Sequence, residues 1–459
     1  MSATDTIRPR PSPVQRALAP DLARGWMLLL IAIANVSLYL WGHQTPLYTA
    51  HPTDGSPLDR ALSVLTILFV DARVYPMFAF LFGYGMVQFA RSRELRGVPQ
   101  CATAAMLLRR HLWLLVFGFV HAALLFSGDI LGAYGLTGLA LTAALFWRPD
   151  RALRIAAWIM LGVFAFGAAM MLGVMALLAA LLEMGGAETL GAEGFAVEGL
   201  AGDGPGSSAD VLNGVASYGQ ALLLRAGTWL ISTPATVLSL LVPVCVLLGW
   251  IAGRHRWLEG GIARFGLGPV AGWGILIGTL TAVPTALGYL GVLPVAGPLL
   301  WGWMLFGQLG GAAGGIGYAA LFGLIVLRLR GDPGAVARSV AAVGKRSLSS
   351  YLLQSVILAP LLAAWGLGIG ARIGTAAAFG IAVGAWLLSL LMAVLLERRS
   401  ARGPAEVLLR RLTYAHFDDQ RIPQSASAPP PGSVPSVPPL ASPPAPPSAP
   451  RSAEPPPAP

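Results

Sequence analysis

The sequence predicts an all-α fold, a polytopic bundle of about ten transmembrane helices with both termini in the cytoplasm. Of the 459 residues, 55% are hydrophobic and 11% are charged, whereas a soluble domain carries roughly 25% charged residues. Several apolar runs approach the roughly 20 residues that a helix needs to cross a bilayer. These runs show no alternation of apolar and polar residues, so they do not resemble the strands of a membrane β-barrel.

The apolar runs delimit a membrane domain over residues 24–397, preceded by a basic leader, 1–23, that is expected to be disordered. An acidic outer loop, 183–217, separates the fifth run from the sixth. A juxtamembrane segment, 398–421, is expected to contain an amphipathic helix whose leucines enter the membrane interface. The Pro-, Ser- and Ala-rich tail, 422–459, cannot bury a core and is expected to be disordered. The predicted spans are 25–42, 61–90, 108–127, 130–147, 154–182, 229–252, 267–290, 298–327, 347–367 and 374–396.

Lysine and arginine are concentrated in alternate loops, which indicates the side of the membrane on which each loop lies. The formal net charge is +10, and the intervening loops are acidic or neutral apart from Arg60 and Arg372. By the positive-inside rule the basic loops face the cytoplasm and its anionic lipids, so no nucleic-acid partner is expected. We expect a multi-pass protein of the cell membrane with the lipid bilayer as a partner. The basic segments are the leader, 91–110, 148–154, 254–264, 328–346 and 398–411.

The second run, 61–90, is longer than one crossing requires and contains Asp71, Arg73 and Pro76. Its roughly 30 residues would form a helix of roughly 45 Å, so we expect its first part to tilt, re-enter or lie at the outer interface. A kink is expected at Pro76. Asp71 and Arg73 point apart on a helix, so each needs another partner. Asp71 could bind substrate and Arg73 could stabilise an oxyanion. Alternatively, the two are interfacial residues whose charged groups snorkel to the water at the membrane surface.

The most specific polar features are a histidine within an apolar run and an aspartate in the turn that follows it. His121 lies in the run 108–127, and Asp129 precedes the run 130–147. A histidine in hydrocarbon is costly without a polar partner, so His121 is a candidate general base or proton-relay group; otherwise it is a neutral ring bonded across helices. Asp129 could orient His121, bind substrate or cap the following helix, and these roles are compatible.

Five further polar residues are candidates for substrate binding. Arg225 precedes the sixth span and could hold an anionic group, or it could anchor the helix at the interface. Tyr134 follows Asp129 closely and could reach the same cavity. Gln308, Tyr351 and Gln354 lie within spans, where a hydrogen bond between helices is the ordinary explanation.

The other chemically distinctive residues are expected to be structural. His43 and His51 lie in the first outer loop and are expected to be solvated. Cys101 and Cys245 lie in separate segments, so neither a disulfide nor a metal site is predicted. The glycine-rich segment 307–317 is expected to allow close helix packing, because the Gly-Lys-Ser/Thr of a phosphate loop is absent.

Four blocks of sequence resemble one family, in the same order along the chain. Together they resemble the YeiB-like family of integral membrane proteins over about 20–415, with its domain of unknown function 418 expected at 235–415. Arg73 stands where relatives commonly have lysine, and Ser349-Ser350 replaces a Thr-Asn pair. The blocks are Arg24-Gly25 with Asn35; Tyr75-Pro76-Met77-Phe78-Ala79-Phe80-Leu81-Phe82-Gly83; Gly118-Phe119-Val120-His121 with Gly128-Asp129-Ile130-Leu131; and residues 343–355 (VGKRSLSSYLLQS) with Gly403-Pro404-Ala405-Glu406.

Two functions remain open. The family is similar to the membrane acyltransferases, which implies a fold group and leaves the activity open. The first hypothesis is transfer of an acyl group from acyl-CoA or a lipid donor to an acceptor near the outer face, without a bound cofactor. His121 would be the base, Asp129 would orient it, and Arg73 would stabilise charge. The alternative is a transporter or flippase for a small or lipid-linked substrate, with Asp71, Arg73 and His121 as its polar sites. A scaffold that recruits partners through the proline-rich tail is a third, weaker reading.

Overall fold

The computed structural model describes residues 18–184, 207–261, 266–293, 297–329 and 333–415. Every regular element within these ranges is a helix, so the predicted all-α bundle is confirmed. In chain order the helices are α1 (Leu18–Val36), α2 (Pro57–Phe69), α3 (Val74–Glu94), α4 (Gln100–Leu124), α5 (Leu131–Leu145), α6 (Asp150–Glu183), α7 (Ser208–Asn213), α8 (Tyr218–Leu238), α9 (Leu241–Arg254), α10 (Leu267–Tyr289), α11 (Gly297–Arg328), α12 (Gly334–Lys345), α13 (Ser347–Leu362), α14 (Thr375–Arg398) and α15 (Pro404–Tyr414).

Eight helical stretches in the described ranges are long and apolar enough to cross a membrane, and α5, α9 and α13 are shorter apolar helices. The chain is therefore a multi-pass membrane protein. One of the eight stretches comprises α2 and α3 together. Large apolar side chains on α6 and α8, including Trp158, Phe166 and Ile231, are exposed, which is the kind of surface that acyl chains cover.

The second predicted span is broken before its proline. Helix α2 ends at Phe69 and α3 begins at Val74, with Ala72 in the left-handed region at φ 59°. The predicted kink at Pro76 is wrong, because this proline lies in the first turn of α3, where its missing N–H costs no helix bond. The first part of the run is instead a separate helix, joined to α3 by a turn at 70–73.

The sixth predicted span, 229–252, is also two helices rather than one. Helix α8 starts at Tyr218 and ends at Leu238, and α9 follows after two residues that include Leu240 at φ 68°. This conformation costs a non-glycine residue about 1–2 kcal/mol. The hydrophobic pattern hides the break because both helices are apolar.

The two helices that follow these breaks, α3 and α9, pack closely against each other. A methyl group added at Gly83 would overlap the carbonyl oxygen of Val246, and one at Gly249 would overlap that of Phe80. Small residues between membrane helices allow such an approach of two backbones. The close packing predicted for 307–317 is confirmed in the same way, where glycines of α11 contact the backbone of α10.

Helix α1 begins within the stretch predicted to be a disordered leader. Residues 18–23 are helical, and the prediction fails there because Asp21 is buried and packs tightly on α12. A methyl group added at Gly344 of α12 would overlap the carbonyl oxygen of Asp21. The rest of the predicted leader, most of the acidic loop and the predicted tail lie outside the described residues: 1–17, 185–206 and 416–459.

The amphipathic helix predicted in the juxtamembrane segment forms as α15. Leu409 is buried with Leu114 and Leu348, so this leucine contacts protein rather than the membrane interface. Leu408 on the other side of the helix is exposed. The segment therefore packs against α4 and α13 through one face.

Glu406 of α15 caps the N-terminus of α13. Its carboxylate accepts hydrogen bonds from the N–H of Leu348 at 2.9 Å, the N–H of Ser349 at 3.1 Å and the hydroxyl of Ser349. The first turn of a helix has free N–H groups and the positive end of the helix dipole, so a carboxylate stabilises it. Arg346, immediately before α13, pairs with Glu397 at 2.7 Å. These contacts fix the start of the helix that carries Ser355.

Replacing Glu406 with alanine is expected to lower the free energy of unfolding by about 1–3 kcal/mol, because it leaves two backbone N–H groups and a hydroxyl without their acceptor. Thermal unfolding of the full chain in lipid measures this effect. Glu94→Ala is the matched control, since Glu94 is an exposed glutamate at the end of α3 and its loss should change stability by less than about 0.5 kcal/mol. Equal midpoints for the two variants would contradict the capping role.

Candidate active site

A serine, a histidine and an aspartate form one hydrogen-bonded chain inside the bundle. His121 lies near the C-terminus of α4, Asp129 in the turn before α5, and Ser355 in α13. The Nδ1 atom of His121 lies 2.8 Å from Oδ1 of Asp129, and its Nε2 atom lies 2.8 Å from Oγ of Ser355. A carboxylate only accepts, so in the neutral ring Nδ1–H donates to Asp129 and Nε2 accepts from the serine hydroxyl.

The hairpin between α4 and α5 positions Asp129 for two tasks. While Oδ1 holds His121, Oδ2 accepts a hydrogen bond from the N–H of Gly132 at 2.7 Å and faces Nε1 of Trp229 at 3.5 Å. Asp129 therefore caps the first turn of α5 and orients His121 at the same time. From the sequence, one aspartate is expected to be able to fill both roles. Gly118, one turn before His121, permits this approach, since a methyl group there would overlap Gly132 and the Asp129 carboxylate.

The hydrogen-bonded side chains of Ser355, His121 and Asp129 lie away from solvent. The side chains of His121 and Asp129 are 1% and 0% exposed, and Ser355 is also buried. The Tyr351 ring lies 5.0 Å from the imidazole, centroid to centroid, and that of Phe126 lies 6.4 Å from it. In such low-dielectric surroundings an oriented hydrogen bond is stronger than in water.

Arg73 does not join this group in the described structure. Its guanidinium donates to the backbone carbonyls of Ile67, Asp71 and Gly278, so it binds together α2, the turn after it and α10. The Asp71 carboxylate has a different partner, Nε2 of His51 at 2.8 Å. The two charges thus have separate partners, as their spacing predicts, and neither contacts His121.

His51 belongs to a second Ser-His-Asp chain that the sequence did not indicate. Its Nδ1 atom lies 3.2 Å from Oγ of Ser37, opposite the contact with Asp71. The histidine is buried, so the expectation that it is solvated is wrong. The outer loop folds onto the end of α1 and the turn after α2. This packing, rather than the loop's polar composition, decides how exposed His51 is.

Three of the proposed substrate-binding residues make hydrogen bonds between helices. Tyr134 donates to the carbonyl of Tyr75 at 2.7 Å, and the Tyr75 hydroxyl donates to Gln308 at 2.8 Å. Gln354 donates to the carbonyl of Leu28 at 3.2 Å. These contacts correspond to the structural explanation for such residues in membrane helices. Tyr351, by contrast, lines the His121 ring.

Arg225 lies on α8 and contacts the C-terminal end of α4, just beyond His121. It is completely buried, and it donates to the carbonyls of Ala123 at 3.2 Å and Leu124 at 3.3 Å. The rings of Tyr218 and Trp365 flank the guanidinium, each with its centroid 5.5 Å away. Arg225 is therefore enclosed within the protein rather than at a lipid interface.

A cavity of about 310 Å³ lies at the end of the bundle predicted to be cytoplasmic. Its walls combine basic and aromatic side chains, among them Arg91, Arg254, Trp147 and Trp250. Within the described residues, no cluster of His, Cys, Asp and Glu has the arrangement of a metal site.

Residues 252–416 match a family described as "Protein of unknown function (DUF418)". Over 423 residues the chain is 26% identical to "Uncharacterized protein YeiB" of Escherichia coli (strain K12), covering 87% of this chain and 97% of that protein. The chain is thus similar to YeiB over most of its length and to the DUF418 family over residues 252–416. It is also 26% identical to "Uncharacterized protein YxaH" of Bacillus subtilis (strain 168), over 78% of this chain and 83% of that protein. A protein of Bacillus acidopullulyticus, "Uncharacterized 39.9 kDa protein in amylase 3'region", is 36% identical over 26% of this chain and 31% of its own length.

The DUF418 match begins at residue 252. The sequence blocks predict a start at residue 235. Ser355 lies inside the matched region, while His121 and Asp129 precede it. The YeiB-like block 343–355 and the Glu406 block that follows it meet in space, because Glu406 caps α13, which begins within residues 343–355. Ser355 is the residue that sequence reasoning missed: it ends a quoted block, but nothing in the pattern indicates that it faces α4.

Proposed function

We propose that the chain is an acyltransferase of the cell membrane in which Ser355, His121 and Asp129 act together on the acyl group. The observation that carries this proposal is the continuous hydrogen-bonded chain from the Ser355 hydroxyl through His121 to Asp129. This arrangement activates serine for nucleophilic attack in many unrelated folds, and it is recognised by geometry rather than by order in the sequence.

The proposed reaction has two steps. Ser355 Oγ attacks the carbonyl carbon of a thioester while its proton passes to His121 Nε2, and the C–S bond breaks as the thiol takes that proton. An acceptor hydroxyl or amine then attacks the serine ester, gives its proton to Nε2, and Ser355 regains it as the ester bond breaks. Asp129 holds the ring in the tautomer that both steps need and stabilises the imidazolium. Arg73 has no part in these steps, since its hydrogen bonds go to backbone carbonyls.

Acyl-CoA would be the donor if the cavity near Arg91 and Arg254 holds its phosphates. Thr103 of this cavity lies roughly 27 Å from His121 along α4, so the thioester would have to extend along the bundle to reach Ser355. Arginine binds phosphate oxygens well, and here a phosphate would compete with Asp150 for Arg254. The exposed ring of Trp147 offers a flat surface for an adenine ring. The cavity lies at the end predicted to be cytoplasmic, where CoA thioesters are available, and a lipid acyl donor is the alternative. The acceptor would approach from the opposite end, where the turn carrying Asp129 lies.

The proposal is tested by trapping acyl-Ser355. Full-length protein in lipid is mixed with labelled acyl-CoA, quenched in acid and digested, and the labelled peptide is identified by mass spectrometry. We expect label on Ser355, released by hydroxylamine, and none in Ser355→Ala. Ser350→Ala is the matched control, since Ser350 is a buried serine of the same helix whose hydroxyl has no partner, and it should label normally. Label that persists in Ser355→Ala would overturn the assignment of the nucleophile.

The broken helices favour a transporter or flippase as a second candidate. Both α2–α3 and α8–α9 are interrupted at a left-handed residue, and discontinuous helices often surround transport sites. Reconstituted vesicles distinguish the two functions. Transport of a lipid-linked or small substrate that is unaffected by Ser355→Ala would favour this candidate over acyl transfer.

A further inference from the structure

Besides the Tyr351 hydroxyl, which lies against His121 itself, three further buried groups on the Arg225 side of the site can donate hydrogen bonds and have no acceptor. They are Nη1 of Arg225, the hydroxyl of Tyr39 and Nε1 of Trp365. We propose that they form a binding site for an anionic oxygen group, a phosphate or a carboxylate, carried by the acceptor substrate. The assignment to the acceptor rests on the proposed function, whereas the anion site itself does not.

The charge of Arg225 is only partly compensated. Two of its nitrogens donate to the last carbonyls of α4, where the negative end of the helix dipole lies, and two aromatic rings flank its faces. No carboxylate in the described part of the chain pairs with it. A buried guanidinium is costly unless a counter-charge or further acceptors satisfy it, and an anion at Nη1 would supply both.

Tyr39 and Trp365 lie around the same guanidinium. The Trp365 ring centroid is 5.5 Å from the centre of the guanidinium. Tyr39 stacks on Phe126, two residues after Leu124, whose carbonyl accepts from Arg225. Both side chains therefore bring a buried N–H or O–H group without a partner to the part of the bundle that holds the Arg225 charge. An anionic oxygen is the chemical group that accepts from all three donors.

Aromatic contacts connect this donor cluster to the catalytic histidine. Tyr39 stacks on Phe126 with ring centroids 5.3 Å apart, and Phe126 lies 6.4 Å from His121. Arg225 binds the carbonyls of residues only two and three positions after His121. An acceptor held by its anionic group at this cluster would place the rest of the molecule beside Ser355, at the end of the bundle predicted to be outer.

The test is anion binding by the full-length protein in nanodiscs of neutral phosphatidylcholine. Thermal unfolding is measured with sodium phosphate, acetate or chloride at the same ionic strength. We expect phosphate or acetate to raise the midpoint saturably and chloride to leave it unchanged. Nanodiscs with phosphatidylglycerol distinguish the sources: if a lipid headgroup fills the site, added phosphate has no further effect there, whereas a free anion binds equally in both lipids.

Tyr39→Phe is the decisive variant, because the hydroxyl it removes has no partner in the protein. We expect an unchanged midpoint without anion and roughly tenfold weaker anion binding. Tyr289→Phe is the matched control: this hydroxyl donates to the carbonyl of Pro52 at 2.6 Å, so its loss should lower the midpoint but leave anion affinity unchanged.

The inference is overturned if chloride stabilises as well as phosphate and acetate, or if Tyr39→Phe binds anions with wild-type affinity. Ser355→Ala separates the two proposals, since it should bind anions normally. A protein that binds phosphate through Tyr39 but never labels Ser355 would retain the anion site and lose the acyltransferase proposal alone.

Discussion

Replacing Asp129 with asparagine is expected to slow acylation of Ser355 by roughly 10³- to 10⁴-fold while leaving the fold intact. The asparagine oxygen can still accept from the N–H of Gly132, so the cap of α5 is kept. Its amide nitrogen would then face Nδ1 of His121 and donate to it. This forces the proton of the neutral ring onto Nε2, which can no longer accept the proton of Ser355.

Rapid-quench measurement of CoA release from labelled acyl-CoA gives the rate, and thermal unfolding shows whether the variant is folded. Asp210→Asn serves as a control, because Asp210 also caps a helix N-terminus but lies at α7. This control should acylate at the wild-type rate. Asp129→Asn that is folded and keeps more than a tenth of the wild-type rate would show that the carboxylate does not orient His121 for catalysis.

The largest loss of stability is expected from Gly249→Ala, at about 3 kcal/mol. The added methyl group would overlap the backbone carbonyl of Phe80, and a backbone atom cannot move aside by changing rotamer, so α3 and α9 must separate. Alanine would otherwise favour the helix by about 1 kcal/mol, so the observed loss is the balance of the two effects. Unfolding of the full chain in mixed micelles measures it.

Gly167→Ala is the control for Gly249→Ala, because it makes the same substitution at a helix position without a close neighbour. Gly167 lies in the middle of α6 and nothing lies within 4 Å of the position that its Cβ would occupy. The same substitution should therefore be neutral or stabilising by up to about 1 kcal/mol. If both variants unfold at the wild-type midpoint, the α3–α9 contact is looser than the structure indicates.

The membrane class and the pairing of His121 with Asp129 could be predicted because both depend on local patterns. Apolar runs define helices, and a histidine and an aspartate on either side of a tight hairpin are near each other in space whatever the rest of the chain does. The capping role of Asp129 likewise follows from its place before an apolar helix.

Ser355, the two helix breaks and the contacts of Arg73 could not be predicted. Ser355 is 234 positions from His121 in the chain, and an uncharged hydroxyl carries no signal of its partner. Ala72 and Leu240 break helices although neither residue favours a left-handed backbone. Arg73 binds backbone carbonyls, and no pattern of side chains records which carbonyls a fold leaves free. Tertiary packing decides all three.

The double use of Asp129 matters for experiments that map the sidedness of the chain. A tag or fluorescent reporter inserted between α4 and α5 would pull the carboxylate away from His121 or from Gly132, even though Gly128 in this turn is exposed. The connection at residues 95–97 is a safer insertion point, since these residues are exposed and nothing lies within 4 Å of a Cβ at Gly97. Val98, which lines the cavity near Arg91, is then left in place. Reporters placed there would read topology without disabling the molecule they report on.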